Sequence, residues 1–180
     1  MRILLCIDDI GDLTKETSTG KIANYIVKNI MYSGYGKCEL ITMHQLLIHK
    51  DIPYTSHNSS MCIRADVNED DYMEIIKESE EIIKENMTKS SNPGICVIME
   101  EKLINKDEII AYGLKAKKEV ITKKEAYDLA GKSGIYLKEH GGTGQGVIGA
   151  LAGAALRLSG NDGEYKQGIE LENNNKIIIK

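Results

Sequence analysis

Three aspartates stand close together near the start of the chain, Asp8, Asp9 and Asp12. They follow the apolar run Ile3–Ile7, which is typical of a strand buried on both faces. Neighbouring carboxylates repel one another, and a divalent cation between them relieves the repulsion. All three are therefore predicted metal ligands. Because side chains alternate along a strand, Asp8 and Asp9 face different ways unless the strand has ended there, in which case both reach the metal. If they do face different ways, one holds the metal and the other anchors the loop or orients water. The alternative is a loop whose aspartates only form turns.

A glycine-rich loop late in the chain is the second feature that suggests chemistry. Residues 140–158 read HGGTGQGVIGALAGAALRL. Glycine permits close backbone approach, so that successive N–H groups cradle an anion at the positive end of the following helix. The loop lacks the Gly-Lys-Ser/Thr of a Walker A motif. The competing interpretation is a tight turn with small residues for helix packing. The predicted cofactor-binding residues are Gly141, Gly142, Thr143, Gly144, Gln145 and Gly146.

These two features complement each other, because nucleotide phosphates are held both by Mg²⁺ and by backbone amides. The elements between them follow an alternating pattern of strands and helices. We predict an α/β fold, with a mixed sheet, helices packed on it and a C-terminal hairpin around residues 173–175. The predicted strands are 2–7, 37–48, 59–67, 94–99, 134–137, 164–171 and 176–179. Helices are predicted near 22–30, 69–87, 106–117, 122–132 and 147–158, the fourth opening with a Thr122/Glu125 capping box.

Composition narrows the class of protein. A chain of 180 residues with 42% hydrophobic and 28% charged side chains is long enough and apolar enough to bury a core. Its net charge of −4 argues mildly against a dedicated nucleic-acid-binding module. The apolar stretch Val147–Leu158 is too short to span a membrane, and the start of the chain does not resemble a signal peptide. We expect a cytoplasmic protein without a membrane partner. The four cysteines form no Cys-x-x-Cys pair, which favours buried thiols.

Several sequence blocks, taken in order, resemble the N-terminal part of the archaeal isoleucine-tRNA agmatidine synthase family. The resemblance extends from Ile3 to about Gly163, and the glycine-rich block is its most specific part. The blocks are Asp8-Asp9-x-x-Asp12, Thr17-Ser18-Thr19-Gly20, Asp51–Asn58, Asn92-Pro93-Gly94-Ile95, Ile121–Ala126 and Gly144-Gln145-Gly146-Val147-Ile148-Gly149-Ala150-Leu151.

The resemblance implies a single kinase-like α/β domain over residues 1–180, with residues 68–133 as a candidate inserted subdomain. Enzymes of the family use ATP and Mg²⁺ to phosphorylate the C2 oxygen of a tRNA anticodon cytidine, and agmatine then displaces the phosphate. Asp8 and Asp9 match the paired aspartates of the family, and Asp9 is also a candidate catalytic residue. The family's autophosphorylated threonine corresponds to Thr19 when counted from the aspartates, and Thr17 is the other candidate phosphoacceptor or metal-side hydroxyl.

Departures from the family pattern limit this expectation. Asp12 is displaced by one residue, and counting back from the helix places Gly20 where the acceptor threonine would stand. Nothing in the 180 residues matches the family's oligonucleotide-binding barrel or zinc ribbon. We therefore predict a Mg²⁺-dependent, ATP-binding phosphotransferase or ATPase of unknown acceptor, with tRNA a doubtful partner. The alternatives are a non-catalytic nucleotide-sensing or partner-binding protein, and an RNA-modifying enzyme that relies on a separate tRNA-binding subunit.

Overall fold

A computed structural model describes residues 1–11, 18–53 and 58–165. Within these ranges, helices and strands alternate along most of the chain. The strands are β1 (Arg2–Asp8), β2 (Gly36–Cys38), β3 (Thr42–Gln45), β4 (Ser59–Val67), β5 (Gly94–Met99), β6 (Tyr136–Glu139) and β7 (Glu164–Tyr165). The helices are α1 (Thr19–Tyr32), α2 (Tyr72–Asn86), α3 (Lys106–Ala116), α4 (Lys123–Ser133) and α5 (Gly146–Ser159).

The strands form one open sheet in the order β6-β5-β1-β4-β3-β7, with β2 also paired to β4. The α/β class with helices packed on a sheet is confirmed. A mixed sheet was expected, but every pairing between the described strands is antiparallel. Periodicity along a strand reports its burial and says nothing about the direction of its neighbours, which explains the difference.

The central strand β1 is buried on both faces, as its unbroken apolar run predicts. On one face, Ile3, Leu5 and Ile7 belong to a cluster with the apolar sides of α1 and α2. On the other face, Leu4 and Cys6 belong to a cluster with α3, α4 and α5. The sheet therefore lies between two helical layers, and the C-terminal end of β1, at Asp8, lies between the same two layers.

Most local predictions are confirmed at the level of elements. Strands β4 and β5 have the predicted bounds, and both bonds of the Thr122/Glu125 capping box are present. The single strand predicted over 37–48 is wrong, because the segment forms the two short strands β2 and β3. Of the predicted C-terminal hairpin, only β7 lies among the described residues, and it pairs with β3.

The cysteines and the apolar helix agree with the sequence-based expectations. Cys6, Cys62 and Cys96 are buried free thiols that lie opposite one another on three adjacent strands, and Cys38 is a partly buried free thiol. No helix in the described ranges is long and apolar enough to cross a membrane.

Candidate functional site

A cavity of about 900 Å³ lies where the end of β1 meets the N-termini of α1 and α5. This volume is in the range of small-molecule and cofactor sites. Its polar lining brings together residues from distant parts of the sequence, including Asp8, Asp9, Thr19, Lys21, Gln145 and Gly146. The predicted aspartate end and the end of the glycine-rich loop therefore border one cavity.

Asp8 occupies the inner side of this cavity. Asp8 is only 8% exposed, and its Oδ1 accepts a hydrogen bond from the backbone N–H of Asp9 at 2.7 Å. Its Oδ2 lies against the first turn of α5, so closely that a Cβ added to Gly149 would be 1.6 Å away. Burial raises the pKa of Asp8 well above its usual value, and the charge of Asp9 raises it further. Asp8 is thus an anchored carboxylate at the positive end of a helix.

Asp9 is held in a strained conformation and is less buried than Asp8. Its φ of 55° places a non-glycine residue in the left-handed region, which costs of order 1–3 kcal/mol and is enriched at functional sites and in turns. Its Oδ2 accepts a hydrogen bond from Nδ2 of Asn92 at 3.0 Å. Burial raises the pKa of Asp9, while the Asn92 bond lowers it. The two adjacent carboxylates therefore differ in environment and in bonding.

Asn92 connects the aspartate end to the glycine-rich loop. Besides its bond to Asp9, its Oδ1 accepts from the backbone N–H of Thr143 at 2.8 Å and from the Thr143 hydroxyl at 3.0 Å. Its backbone carbonyl accepts the N–H of Gly146 at 2.9 Å. Sequence reasoning did not select Asn92 as a site residue. The only signal was its place in a block that resembles the synthase family, two residues before β5.

The four consecutive amides from Thr143 to Gly146 donate within the protein in this conformation. The N–H of Gly144 donates to the carbonyl of Gly141 at 3.1 Å, and that of Gln145 donates to the Thr143 hydroxyl at 3.4 Å. The N–H groups of Thr143 and Gly146 donate to Asn92, as described above. Of the predicted loop residues, only Gln145 and Gly146 line the cavity.

Glycine is required here for close packing as well as for backbone angles. Gly141, Gly142 and Gly144 have φ values of 126°, 56° and 69°, in the region that disfavours side chains. A Cβ at Gly142 would be 2.4 Å from Oδ1 of Asn92. At the start of β5, a Cβ at Gly94 would be 2.2 Å from the backbone of Gly146. The loop is therefore pressed against the Asn92–Gly94 turn.

The N-terminus of α1 also faces the cavity. Ser18 caps the helix by accepting the N–H of Lys21 at 3.2 Å. Thr19 is the first helical residue, and its hydroxyl oxygen accepts the N–H of Ile10 at 3.4 Å. Among the predicted site residues, Asp12 and Thr17 lie outside the described residues. Thr19 is thus the candidate acceptor threonine that the structure places at the cavity.

The remaining cavity wall is mainly apolar. Its side chains come from the β2–β3 region, the segment after β3, β4 and the α3–α4 connection, and include Ile41, Met43, Leu46, Pro53, Val120 and Ile121. Lys123 stands at the start of α4, where its Nζ donates to Glu139 and to the carbonyl of Thr143, both at 2.7 Å. A cavity with a carboxylate end and an apolar wall suits a ligand that has both charged and flat apolar parts.

Four carboxylates line the described part of the cavity, those of Asp8, Asp9, Asp51 and Glu119. Asp8 and Asp9 are the pair that stands together at the end of β1, and they are the candidates for a metal ion. No cluster of three or more His, Cys, Asp or Glu side chains suited to a metal occurs within residues 1–11, 18–53 and 58–165. Mg²⁺ is commonly bound by only one or two carboxylates, together with waters and substrate phosphates. The donor set therefore fits Mg²⁺ when a phosphate ligand supplies the remaining oxygens.

Comparison with solved structures relates this chain to a known enzyme. A structure of apo TiaS (tRNAIle2 agmatidine synthetase) superposes with a TM-score of 0.73 at 25% identity, covering 86% of this chain. A complex of TiaS with its tRNA and ATP gives a TM-score of 0.74 at 27% identity over 86% of this chain. The chain is a structural relative of part of TiaS. Its matches span only 35% and 36% of the TiaS chains, respectively.

A third TiaS structure extends the match. In a complex of TiaS with its tRNA, AMPCPP and agmatine, the TM-score is 0.71 at 26% identity, and the match covers 96% of this chain and 37% of TiaS. No protein-family profile and no curated protein sequence matches the chain. The relationship to TiaS therefore depends on the superposition of structures at 25–27% identity.

Proposed function

We propose that this chain binds ATP together with Mg²⁺ and acts as a phosphotransferase or ATPase whose acceptor is not specified by the structure. The observation that carries the proposal is the cavity in which Asp9 and the N-terminus of α5 meet. Similarity to TiaS, which has been solved with ATP and with AMPCPP, supports ATP as the nucleotide.

In this proposal, Asp9 and Asp8 hold Mg²⁺ from the floor of the cavity, and Asp12 is a third ligand. Mg²⁺, when bound, neutralises the charge of the phosphates and orients them. The positive ends of α1 and α5 point at the same region and favour anionic groups there. The apolar wall around Ile41 accommodates the base. Phosphoryl transfer depends mainly on positioning and charge neutralisation, so this set of groups is sufficient in principle.

Thr19 is the proposed phosphoacceptor or metal-side hydroxyl among the described candidates, with Thr17 as the other candidate. Thr19 lines the cavity that Asp9 also lines. In the proposed reaction, an acceptor oxygen attacks the γ-phosphorus of ATP. The bond to the β–γ bridging oxygen breaks, and ADP leaves with those electrons while the acceptor proton passes to a carboxylate or to water. Asp9 is the proposed carboxylate, since it is the less buried of the pair.

Calorimetry with ATP tests nucleotide binding, in the presence of MgCl₂ and in its absence. Wild type is expected to bind ATP, and Asp9→Asn is expected to lose the Mg²⁺-dependent part of the affinity. Asp70→Asn is the matched control, because Asp70 is an exposed carboxylate in a short turn before α2. Absence of ATP binding by wild type, or equal Mg²⁺ dependence in Asp9→Asn, would refute the proposal.

Turnover separates an enzyme from a nucleotide sensor. Release of ADP by wild type, with intact-mass detection of one added phosphate that disappears in Thr19→Val, would support the phosphoacceptor role. ATP binding without ADP release would instead support the non-catalytic alternative. That alternative has one structural observation in its favour, because the amides from Thr143 to Gly146 donate to protein acceptors.

A further inference from the structure

Asn92 accepts the hydrogen bonds of two amides in the glycine-rich loop. One is the N–H of Thr143, which donates to its Oδ1, and the other is the N–H of Gly146, which donates to its backbone carbonyl. While these bonds exist, neither N–H is available to a phosphate oxygen. Gly146 lines the cavity, so the group that occupies its amide decides what that end of the cavity presents to a ligand.

The position of Asn92 is set in turn by Asp9. Its backbone N–H donates to the Asp9 carbonyl at 3.1 Å, and its Nδ2 donates to Asp9 Oδ2 at 3.0 Å. These partners also define the orientation of the carboxamide, because an ionised carboxylate only accepts and the Thr143 amide only donates. A single side chain thus spans from a candidate metal ligand to the glycine-rich loop.

We propose that Asn92 is a latch: it holds the glycine-rich loop closed until a divalent cation engages Asp9, and it then releases the loop amides for phosphate. The inference rests on the proposed function. A cation bound to the Asp9 carboxylate neutralises the negative charge of the carboxylate, which weakens Asp9 as a hydrogen-bond acceptor. The cation also repels the partly positive Nδ2 hydrogens of Asn92 that lie at the same oxygen. The bond from Asn92 Nδ2 to Asp9 Oδ2 weakens, and the side chain that accepts from Thr143 is then held by the longer bond from Nδ2 to the Ser90 carbonyl at 3.3 Å. The Gly146 amide, which donates to the Asn92 backbone carbonyl, is released as the Asn92 turn shifts with its side chain.

The local backbone is suited to such a movement. Asp9 has a strained positive φ, and such strain clusters at ligand clamps and switch regions. The loop carries positive φ values at Gly141, Gly142 and Gly144, where glycine has access to other conformations at little steric cost. The residues on either side of Asn92, Asp9 and the loop glycines, are therefore those with backbone angles suited to a change of conformation.

Residue-resolved amide hydrogen exchange by NMR, with MgCl₂ and without nucleotide, tests the latch directly. In wild type, Mg²⁺ is expected to accelerate exchange at Thr143 and Gly146 by about tenfold, the factor that corresponds to one ordinary hydrogen bond. NaCl of matched ionic strength is expected to have no such effect. In Asn92→Ala, exchange at Thr143 is expected to be fast from the start, and Mg²⁺ is expected to change it less than twofold.

Two further variants keep the result interpretable. Asn92→Leu preserves the approximate size of the side chain but neither donates to Asp9 nor accepts from Thr143, so it should behave as Asn92→Ala even where the alanine variant folds poorly. Asn68→Ala is the matched control, because it removes a comparable bond from Asn68 Nδ2 to Asp71 at 2.8 Å in a loop outside the cavity lining. It should retain the full response to Mg²⁺.

The outcomes separate the latch from the proposed function. A wild type that binds ATP with Mg²⁺ but shows unchanged or slower exchange at Thr143 and Gly146 with Mg²⁺ alone overturns the latch and leaves the proposed function standing. A full response in both Asn92→Ala and Asn92→Leu also overturns it. A wild type that does not bind ATP removes the proposed function, whatever the loop does.

Discussion

The carboxylate of Asp8, at the end of β1, is in direct contact with the backbone of Gly149, in the first turn of α5. Oδ2 of Asp8 occupies the space that a side chain at position 149 would need, with a Cβ only 1.6 Å away. Asp8 therefore reaches the first turn of α5 only because residue 149 is a glycine. The aspartate end and the glycine-rich segment are joined by this contact as well as by Asn92.

Gly149→Ala is expected to displace Asp8 or α5 and to lower the free energy of unfolding by about 1–3 kcal/mol, the usual cost of overpacking a buried position. Chemical denaturation measures the change. Gly131→Ala is the matched control, because a Cβ added to that helical glycine would have nothing within 4 Å. There, alanine should stabilise the protein by about 0.5–1 kcal/mol. Equal effects at the two positions would contradict the contact.

Gly94→Ala tests the close approach of β5 to the start of α5. A Cβ at position 94 would be 2.2 Å from the backbone of Gly146 and Val147, which cannot yield as a flexible side chain would. We expect a loss of about 1–3 kcal/mol in the free energy of unfolding, or more if the loop detaches. Gly20→Ala serves as its control, since the nearest atom to a Cβ there is 3.6 Å away on Met61. A stable Gly94→Ala would show that the loop is not packed as described.

The stability of the protein should depend on the charge of Asp8. Burial raises its folded-state pKa above the unfolded value, with a further contribution from Asp9. The folded state then binds more protons than the unfolded state between the two pKa values, so stability is present below the unfolded pKa and is lost as pH rises through the folded pKa. Without divalent cations, Asp8→Asn should gain stability relative to wild type as pH rises above about 4, the ordinary pKa of an aspartate, through the raised folded-state pKa.

Urea unfolding of both proteins at a series of pH values in EDTA measures this difference. The free energies of unfolding of the two proteins should lie closest together at about pH 4, the ordinary range of an aspartate pKa. Addition of Mg²⁺ at neutral pH should reduce the difference in free energy of unfolding between Asp8→Asn and wild type. It stabilises wild type, because a bound cation compensates the buried charge of Asp8. Curves that stay parallel across the pH range would show that Asp8 does not carry the predicted shift.

Thr122→Ala is expected to weaken α4, which carries Lys123 at the cavity. The change removes the hydroxyl that accepts the N–H of Glu125 at 3.2 Å and donates to its carboxylate at 2.8 Å. Loss of such a cap typically costs about 1 kcal/mol, which thermal or chemical denaturation detects. Thr122→Ser keeps the hydroxyl and should retain most of the stability. If serine and alanine were equally destabilising, the loss would come from the missing methyl contacts rather than from the cap.

The sequence by itself determined the elements that depend on local patterns. The continuous apolar run before Asp8 predicted a strand buried on both faces, and Thr122 and Glu125 predicted a helix start at their observed place. The aspartates and the glycine-rich loop could also be selected locally, because their residue types stand close together along the chain. These features are encoded within a few residues, where steric and hydrogen-bonding preferences act without tertiary contacts.

Only the tertiary structure decided how these parts meet. The antiparallel direction of the strands, the contact of Asp8 with Gly149 and the bridge from Asp9 through Asn92 to Thr143 all join residues far apart in sequence. No periodicity or motif near Asn92 specifies which distant carboxylate it will bind. The same folding commits the loop amides to protein acceptors, because packing against the Asn92–Gly94 turn brings those acceptors within hydrogen-bond distance.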